Sequence, residues 1–199
     1  MATKWDERFD VPDYVYGQSP NKFFSAELDV LNPGKLLMPA EGEGRNAVYA
    51  ASKRWQVTAV DESRVARSKA LMLAEQQGVA LNYEISDLSN YTFGQNKYDA
   101  VGIVFLHLPE EVRKKVHASI VSCLKPGGKL IMEVFSQKQL GNKTGGPQNM
   151  KLLYSLEYLK RDFETLSFLK IEEDAVFLSE GYGHNGRAET IRLVAQKDS

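Results

Sequence analysis

The chain has 199 residues, of which 43% are hydrophobic and 26% are charged, and its net charge is −1 at pH 7. This length suits one domain with its own core, so we expect a single domain over residues 1–199 with an N-terminal arm at 1–34. The balanced charge excludes the basic surface that binds nucleic acid or an anionic membrane. The lone Cys123 excludes an internal disulfide. With no apolar run near the ~20 residues of a membrane span and no signal-peptide pattern, we expect a cytoplasmic protein.

Strands and helices alternate along the chain after the aromatic-rich arm, which leads into a short predicted helix near Phe23–Leu31. Further helices are predicted at Asn46–Lys53, Ser63–Gln77, Glu110–Leu124 and Tyr154–Phe163. Strands are predicted at Lys35–Met38, Gln56–Val60, Leu81–Ile85, Tyr98–Leu106, Lys129–Phe135, Leu169–Leu178 and Thr190–Gln196. Residues 136–150 and 179–189 are predicted loops.

This alternation predicts β-α-β units, and therefore a mostly parallel sheet with helices on both faces. The last two strands have only a loop between them, so they should pair antiparallel. Ligands of such sheets bind at the carboxyl ends of the strands, near the topological switch point. We therefore expect a site around the turn after Met38, around Asp61 and Asp87, and around the residues after Val104.

The segment Gly42–Ala47, with the sequence GEGRNA, fits the G-x-G-x-x-G/A turn that holds a pyrophosphate at a helix N-terminus. In that interpretation Asp61, 17 residues after Gly44, binds a ribose. Glu41 and Glu43 oppose it, because carboxylates in and beside the turn would repel phosphates. They favour a cofactor that is cationic at this point, such as S-adenosylmethionine, which has an ammonium and a sulfonium and no phosphate. A plain tight turn is a third interpretation.

A second candidate cofactor feature, in the sequence EISDL, follows the third predicted strand. The carboxylate of Asp87 can accept a hydrogen bond from an exocyclic amine, while the N–H of Leu88 meets a ring nitrogen. Together they would read the edge of an adenine. The alternative is that Asp87 forms an Asx turn or caps the next helix.

Five stretches in this order resemble class I S-adenosylmethionine-dependent methyltransferases: LLMPAEGEGRN, VTAVDES, SDL, YDAVGIVFLHLP and LKPGGKLIMEVF. That family has a Rossmann-like, doubly wound, mostly parallel seven-stranded sheet whose last strand is antiparallel. The resemblance implies residues that contact the methionine moiety, the ribose, the adenine and the side of the cofactor, namely Glu41, Gly42, Gly44, Asp61, Glu62, Asp87, Leu88 and Phe105. The usual family turn reads Asp/Glu-x-Gly-x-Gly-x-Gly. Here Ala40-Glu41 and Asn46 flank a shortened Gly-Glu-Gly, which makes Glu41 the candidate for contact with the ammonium.

The stretches WDERF and YVYGQSPNKFF, together with AEGEGRN, look like a narrower subgroup that includes tellurite-resistance and thiopurine-type methyltransferases. In such proteins the N-terminal arm covers the cofactor. The resemblance therefore makes Tyr16 and Gly17 candidates for cofactor contact, while Trp5 and Phe9 are expected to pack against the sheet edge.

Residues 179–192, with the sequence SEGYGHNGRAETIR, concentrate polar side chains beside the expected acceptor position. His184 could accept a proton near neutral pH, and Arg187 could clamp an oxyanion or a carboxylate. Tellurite-type enzymes use His and Arg in the corresponding hairpin, which makes these two residues the catalytic candidates. A solvent-exposed hairpin with charged tips is the alternative. The glycine-rich loop 141–149 is either a substrate lid or a plain connection.

His107 could face the acceptor or cap the helix that begins near Pro109, and we favour the cap. His117, in the middle of a helix, is expected at the surface. Cys123, at the apolar end of a helix, is expected to be a buried structural thiol. Three histidines and one cysteine show no metal-ligand spacing, so no metal is expected.

The sequence therefore predicts a methyltransferase that uses S-adenosylmethionine on a small-molecule acceptor, for example tellurite, selenite or a thiol. No nucleic acid, membrane or obligate protein partner is expected. Two alternatives stay open. One is an NAD-dependent oxidoreductase, supported by the glycine turn and Asp61. The other is a non-catalytic protein that binds S-adenosylmethionine.

Overall fold

The computed structural model describes residues 2–198. Its helices are α1 (Lys4–Phe9), α2 (Lys22–Asp29), α3 (Arg45–Ser52), α4 (Arg64–Gln76), α5 (Glu110–Cys123) and α6 (Leu156–Asp162). Its strands are β1 (Lys35–Pro39), β2 (Gln56–Asp61), β3 (Asn82–Ile85), β4 (Tyr98–Val104), β5 (Leu124–Phe135), β6 (Leu166–Glu180) and β7 (His184–Lys197). Two short 3₁₀ turns, Gln137–Gln139 and Met150–Leu152, lie between β5 and α6.

The seven strands form one sheet in the order β3-β2-β1-β4-β5-β7-β6. The pairs from β3 to β5 are parallel, and β7 runs antiparallel to both of its neighbours. The expected Rossmann-like fold, with its antiparallel last strand, is confirmed. The chain order reverses between β1 and β4, so the topological switch point lies there. The carboxyl ends of β1, β2, β4 and β5 all meet at this edge of the sheet.

Helices cover both faces of the sheet with separate apolar layers. On one face α2, α3 and α4 pack on the strands through residues that include Phe24, Ala47 and Ala70. On the other face α5 and α6 contribute residues that include Ile120 and Leu159. Cys123 is fully buried in this second layer, as expected for a structural thiol. The two layers leave the carboxyl edge to be covered by the arm and the loops.

Helix α1 was not predicted, although the sequence contains its start signal. Thr3 and Asp6 form a reciprocal capping box, in which each side chain accepts a hydrogen bond from the backbone N–H of the other. The T-x-x-D spacing is typical of a helix N-terminus. The Oδ1 atom of Asp6 also accepts a hydrogen bond from the Ser63 hydroxyl at 2.7 Å, which fastens α1 to the start of α4.

The prediction of a polar loop at 179–189 is wrong. Strand β6 continues to Glu180 and β7 begins at His184, so only a tight turn at 181–183 separates them. The glycines of this segment are typical of a long turn. The pairing of β6 with β7 nevertheless continues through it and includes Gly186, whose φ angle is +115°. Within residues 2–198, no helix is both long and apolar enough to cross a bilayer.

Candidate functional site

The glycine turn connects β1 to α3 through backbone conformations that glycine adopts easily. The φ angle is +53° at Ala40, +64° at Gly42 and +91° at Gly44, all on the left-handed side. Gly44 is the N-cap of α3, and a Cβ atom there would lie 2.5 Å from the Cβ atom of Ala70 on α4. The second glycine therefore allows α3 and α4 to pack closely behind the turn.

The carboxylate of Glu41 caps helix α3. Its Oε1 atom accepts hydrogen bonds from the backbone N–H groups of Asn46 (2.9 Å) and Ala47 (2.7 Å), in the first turn of the helix. A dinucleotide-binding turn would use such donors to hold a pyrophosphate. Burial raises the pKa of Glu41 to about 7, even though the Ala47 N–H and the charge of Arg45 act to lower it. The helix N-terminus is therefore already occupied by a protein carboxyl group.

Glu43 has a different role, because it holds the N-terminal arm. Its Oε1 atom lies 2.6 Å from Nζ of the buried Lys69 on α4. Its Oε2 atom accepts hydrogen bonds from the backbone N–H groups of Val15 (2.8 Å) and Tyr16 (3.4 Å). Lys69 also donates to three carbonyl oxygens of the arm, those of Phe9, Val11 and Asp13. The charge of Glu43 is compensated inside the protein, so it does not supply the attraction for a cationic ligand that the sequence suggested.

Asp61 joins the end of β2 to the glycine turn. Its Oδ2 atom accepts from the N–H of Gly42 and its Oδ1 atom from the N–H of Ser63, both at 2.9 Å. The hydroxyl of Tyr83 donates to the carbonyl of Gly42 at 2.6 Å. Burial raises the pKa of Asp61 to about 6. Each carboxylate oxygen keeps a further lone pair, so Asp61 can accept a hydrogen bond from a ligand while it holds the turn.

The remaining candidates for the ribose and adenine follow the ends of β2 and β3. Glu62 follows Asp61 and is half-buried, while Leu88 is buried in the layer beneath α5. Asp87 is exposed, and its Oδ1 atom accepts from the N–H of Ser89 at 2.8 Å, as in an Asx turn. Among the described residues nothing donates to its second carboxylate oxygen, and the adenine-binding role of this segment stays a prediction.

His184 is buried among aromatic side chains from three parts of the fold. Its ring centroid lies 4.4 Å from that of Tyr16 in the arm, 4.6 Å from Phe105 after β4 and 5.1 Å from Phe135 at the end of β5. Gly145 of the loop 141–149 covers the ring from another side, where a Cβ atom would overlap the imidazole. The arm and this loop therefore both enclose His184 at the carboxyl edge of the sheet.

The environment of His184 favours a neutral imidazole. Burial lowers its pKa, although the neighbouring Glu180 acts to raise it. The Nδ1 atom lies 3.6 Å from Glu180 Oε2 and has no hydrogen-bond partner in the described structure. Burial raises the pKa of Glu180, but interaction with His184 and with Arg45 outweighs burial and lowers it to about 2. A neutral imidazole beside a carboxylate can take up a proton.

The structure does not bring the second catalytic candidate, Arg187, together with His184. The Arg187 side chain is 76% exposed and lies 3.4 Å from the carboxylate of Glu189. Side chains alternate along a strand, so positions 184 and 187 of β7 belong to opposite faces. A clamp that uses both residues on one small acceptor is not supported by this geometry, and a catalytic role for Arg187 stays a prediction.

A buried polar network, which the sequence reasoning missed, connects the arm to the last strands. Asn21 Nδ2 donates to Glu133 Oε2 (2.6 Å) and to Glu180 Oε1 (3.0 Å). Arg45 Nη2 donates to Glu180 Oε2 and Arg192 Nε donates to Glu133 Oε1, both at 2.7 Å. A glutamate inside the apolar strand LIMEVF is the signal that could have revealed the network, because a buried carboxylate needs partners.

The other histidines have structural contacts. The prediction that His107 caps α5 is wrong, because no side chain among the described residues caps that helix. The His107 ring instead lies between the carbonyl of Leu152 and the N–H of Phe135, and burial lowers its pKa to about 4. The prediction of a surface position for His117 is wrong. Its ring is fully buried with Nδ1 2.9 Å from Asp162, because α6 covers this face of α5. In the described part of the chain, no three His, Cys, Asp or Glu side chains converge as they do around a metal ion.

Comparisons with known proteins find a methyltransferase domain model that matches part of the chain and solved structures that share its fold. Residues 37–128 match the model of a methyltransferase domain family. The matched segment runs from β1 into β5 and therefore contains the glycine turn, Asp61, Asp87 and Phe105. No curated protein sequence matches the chain significantly.

Solved structures of the same fold have low sequence identity to the chain. A structure described for the conversion of a disulfide bond into a thioacetal group during echinomycin biosynthesis has a TM-score of 0.79 at 17% identity, covering 97% of this chain and 88% of that one. TehB from Haemophilus influenzae has a TM-score of 0.73 at 17% identity, covering 88% and 61%. An S-adenosylmethionine-dependent methyltransferase from Clostridium acetobutylicum has a TM-score of 0.65 at 18% identity, covering 97% and 95%. At such identities the likeness shows the fold alone.

Proposed function

We propose that this protein is a methyltransferase that uses S-adenosylmethionine to methylate a small-molecule acceptor. The observation that carries the proposal is the cap of α3 by Glu41. A pyrophosphate at this turn would need the N–H groups at the start of α3, which the Glu41 carboxyl group already occupies. A cofactor with an ammonium and no phosphate would instead be attracted by the negative charge of Glu41. The match of residues 37–128 to a methyltransferase domain supports the same choice over an NAD-dependent oxidoreductase.

The carboxyl groups and glycines of the site are chemically suited to S-adenosylmethionine. Glu41 and Asp61 are buried carboxyl groups with raised pKa values, and a bound cation would favour their ionised forms. Gly42 and Gly44 give the turn its left-handed backbone, and Asp61 retains lone pairs for ribose hydroxyls. The bound cofactor would supply a methyl group already activated by the positive sulfur. The protein's task is then to orient the acceptor and to exclude water.

We also propose that His184 accepts a proton from the acceptor molecule, in those cases where its nucleophilic atom must lose a proton to be methylated. Its neutral ring is enclosed by Tyr16, Phe105 and Gly145, so the arm or the loop 141–149 must move to admit an acceptor. A tellurite-type oxyanion remains one candidate acceptor, supported by the resemblance to the tellurite-resistance subgroup. The proposal needs no obligate protein partner, and a cytoplasmic location is part of it.

The test is release of S-adenosylhomocysteine from S-adenosylmethionine in the presence of separate acceptors: tellurite, selenite, a small thiol and a set of aromatic acids. We expect release that depends on one acceptor class and disappears in Asp61→Ala. Saturable binding of S-adenosylmethionine without release on any acceptor class would instead favour the non-catalytic cofactor-binding protein.

A further inference from the structure

The two nitrogen atoms of the His184 ring have different surroundings. Nδ1 is buried and lies 3.6 Å from Oε2 of Glu180. Nε2, on the other edge of the ring, lies beside Gly145, where a Cβ atom would be 3.1 Å from it. Glycine therefore leaves Nε2 uncovered by a side chain on this side of the loop 141–149. An acceptor that enters where this loop now lies would meet Nε2, whereas Nδ1 faces the carboxylate.

The Glu180 carboxylate is held in place from two directions. Its Oε1 atom accepts a hydrogen bond from Asn21 Nδ2 at 3.0 Å, and its Oε2 atom accepts one from Arg45 Nη2 at 2.7 Å. Asn21 is fixed in turn, because its Oδ1 atom accepts from the N–H of Phe24 and caps α2. Arg45 is the first residue of α3 and directly follows the glycine turn. A carboxylate oxygen has more than one lone pair, so Oε2 can also accept from His184 Nδ1.

The charge of Glu180 decides which nitrogen of the neutral His184 ring carries the hydrogen. Burial acts to raise the pKa of Glu180, but interaction with His184 and with Arg45 lowers it to about 2, so the carboxylate is ionised near neutral pH. With the hydrogen on Nε2, the lone pair of Nδ1 would face this negative oxygen. With the hydrogen on Nδ1, an N–H group faces it instead, which is attractive. The free lone pair then lies on Nε2.

The 3.6 Å separation between His184 Nδ1 and Glu180 Oε2 is longer than a hydrogen bond, and a movement of about 0.5 Å would close it. Hydrogen bonds of catalytic groups are often long in the ligand-free protein and shorten in the reacting complex. A proton taken up at Nε2 would make the ring positive and strengthen its attraction to Glu180. The geometry therefore suits a carboxylate that acts on the ring as it becomes charged.

The other groups near the ring do not offer it a negative charge. Four titratable or cationic side chains besides Glu180 interact with His184 from the elements around it: Arg45, Arg8, Tyr16 and His107. Burial lowers the pKa of His184, and the two arginines lower it further. Burial also keeps the tyrosine and the second histidine neutral, since it raises the pKa of the first and lowers that of the second to about 4. Stabilisation of a proton on His184 therefore depends on Glu180.

We propose that Glu180 is the positioning residue of His184, which holds the ring hydrogen on Nδ1 and leaves the lone pair of Nε2 to accept a proton from the acceptor. The proton passes from the nucleophilic atom of the acceptor to Nε2. The resulting imidazolium is stabilised by the Glu180 carboxylate until the proton is released to water. The catalytic part rests on the proposed function, whereas the position of the ring hydrogen does not.

Nitrogen NMR of the protein with isotope-labelled histidine tests the position of the hydrogen without any acceptor. At a pH where the ring is neutral, we expect Nδ1 of His184 to be protonated and Nε2 to be unprotonated. The signals that disappear in His184→Phe identify this ring among the three histidines. A hydrogen on Nε2 in the native protein would overturn the proposal, and this result needs no variant of Glu180.

Two substitutions of Glu180 test whether its charge is the cause. Glu180→Gln should abolish the preference for hydrogen on Nδ1 and lower the pKa of His184 further, because it removes the charge that raises it. Glu180→Asp keeps the charge and should keep the hydrogen on Nδ1. An unchanged ring hydrogen and pKa in a folded Glu180→Gln variant would contradict the positioning role.

Glu133→Gln is the matched control, because it removes the other carboxylate of the same buried network. Glu133 is bonded to Asn21 and Arg192. The substitution should lower thermal stability as Glu180→Gln does, yet leave the ring hydrogen and the pKa of His184 unchanged. The same loss of the hydrogen on Nδ1 in both variants would mean a general disturbance of the network and would overturn the proposal.

Turnover separates this proposal from the proposed function. On an acceptor that must lose a proton, Glu180→Gln should lower kcat by at least about tenfold, but by no more than His184→Phe, since Glu180 acts through that ring. Activity needs the neutral ring and is lost as the pH falls through its pKa, so the acid limb of the pH profile should move to lower pH in Glu180→Gln. Full kcat in Glu180→Gln with reduced kcat in His184→Phe would overturn the positioning role. Hydrogen on Nδ1 that depends on Glu180, without methyl transfer to any acceptor, would refute the proposed function and leave this arrangement of the pair standing.

Discussion

Two glutamates that stand two positions apart in the sequence have different structural roles. Glu41 caps α3 through the N–H groups of Asn46 and Ala47, while Glu43 pairs with Lys69 and holds the arm. The sequence shows that both charges lie in or beside the turn, but their partners come from distant parts of the chain. Glu41 alone occupies the helix N-terminus where a phosphate would bind, and its contact with the cofactor stays a prediction.

Two substitutions separate the two roles assigned to Glu41, the cap of α3 and the binding of S-adenosylmethionine. Glu41→Gln keeps an oxygen that accepts from the α3 N–H groups but removes the charge, so it should keep thermal stability and weaken S-adenosylmethionine binding. Glu41→Ala removes the cap as well and should cost about 1 kcal/mol of unfolding free energy. Thermal melting and calorimetric titration measure the two effects. Unchanged cofactor affinity in Glu41→Gln would mean that Glu41 serves the helix alone.

His184 is buried yet lacks a hydrogen-bond partner at Nδ1, which distinguishes it from the well-bonded His107. His184→Phe replaces the imidazole with a ring that can pack among the same aromatic side chains but cannot accept a proton. We expect this variant to bind S-adenosylmethionine normally and to lose turnover by about 10²–10⁴-fold on an acceptor that must lose a proton. His184→Ala should behave similarly but with lower stability. Full turnover in both variants, measured as release of S-adenosylhomocysteine, would remove His184 from the mechanism.

Among the secondary-structure elements, the arm is joined to the glycine turn and to α4 by the Lys69–Glu43 pair. Lys69→Met leaves the buried Glu43 without its cation, and we expect a loss of about 3–5 kcal/mol of unfolding free energy. The amides of Val15 and Tyr16 should exchange faster with solvent, since Glu43 is their acceptor. Chemical denaturation and hydrogen exchange provide the measurements.

The double variant Lys69→Met/Glu43→Gln is the control for this pair. It removes both charges and should recover part of the stability lost by the single variant. If Lys69→Met alone is as stable as the native chain, or if the arm amides keep their protection, the pair does not hold the arm.

Element boundaries from β1 to α5 agree with the sequence prediction to within two residues, because helix caps and apolar periodicity are local properties. The final hairpin was misjudged for a physical reason. Glycines at 181, 183 and 186 are typical of a long turn, but the pairing of β6 with β7 overrides that tendency. Only residues 181–183 remain in the turn. With the loop replaced by strands, the alternation of side chains separates His184 from Arg187.

For the molecule as a whole, the mostly parallel sheet with helices on both faces followed from the alternation of strands and helices, whereas the buried network did not. Asn21 contacts Glu133 and Glu180, which lie 112 and 159 residues away in the chain. No local pattern contains such a contact. The residues that enclose His184 come together for the same reason, since the carboxyl ends of β4 and β5 meet the arm only after folding.

The buried carboxyl groups of Glu41 and Asp61 predict how the affinity for S-adenosylmethionine depends on pH. In the ligand-free protein the pKa of Glu41 is about 7 and that of Asp61 about 6, both raised by burial. A bound cation favours the ionised forms, so binding below these pKa values must release protons. Affinity for S-adenosylmethionine should be highest above pH 7 and fall as the pH passes through 7 and 6, by at most about tenfold per pH unit for each group.

Titrations between pH 8 and pH 5.5 measure this dependence, and Glu41→Gln is its control. The variant should lose the part of the pH dependence that lies near pH 7 and keep the part due to Asp61. Affinity that is constant over this range, or that rises toward low pH, would show that neither carboxyl group responds to the cofactor's charge.

Calorimetric titration of the purified protein with S-adenosylmethionine, with NADH titrated in parallel and Asp61→Ala as the variant, decides between the two cofactors. We expect saturable binding of S-adenosylmethionine, strong weakening in Asp61→Ala, and no binding of NADH. Binding of NADH without S-adenosylmethionine would contradict this expectation, because a pyrophosphate would then have displaced Glu41 from the N-terminus of α3.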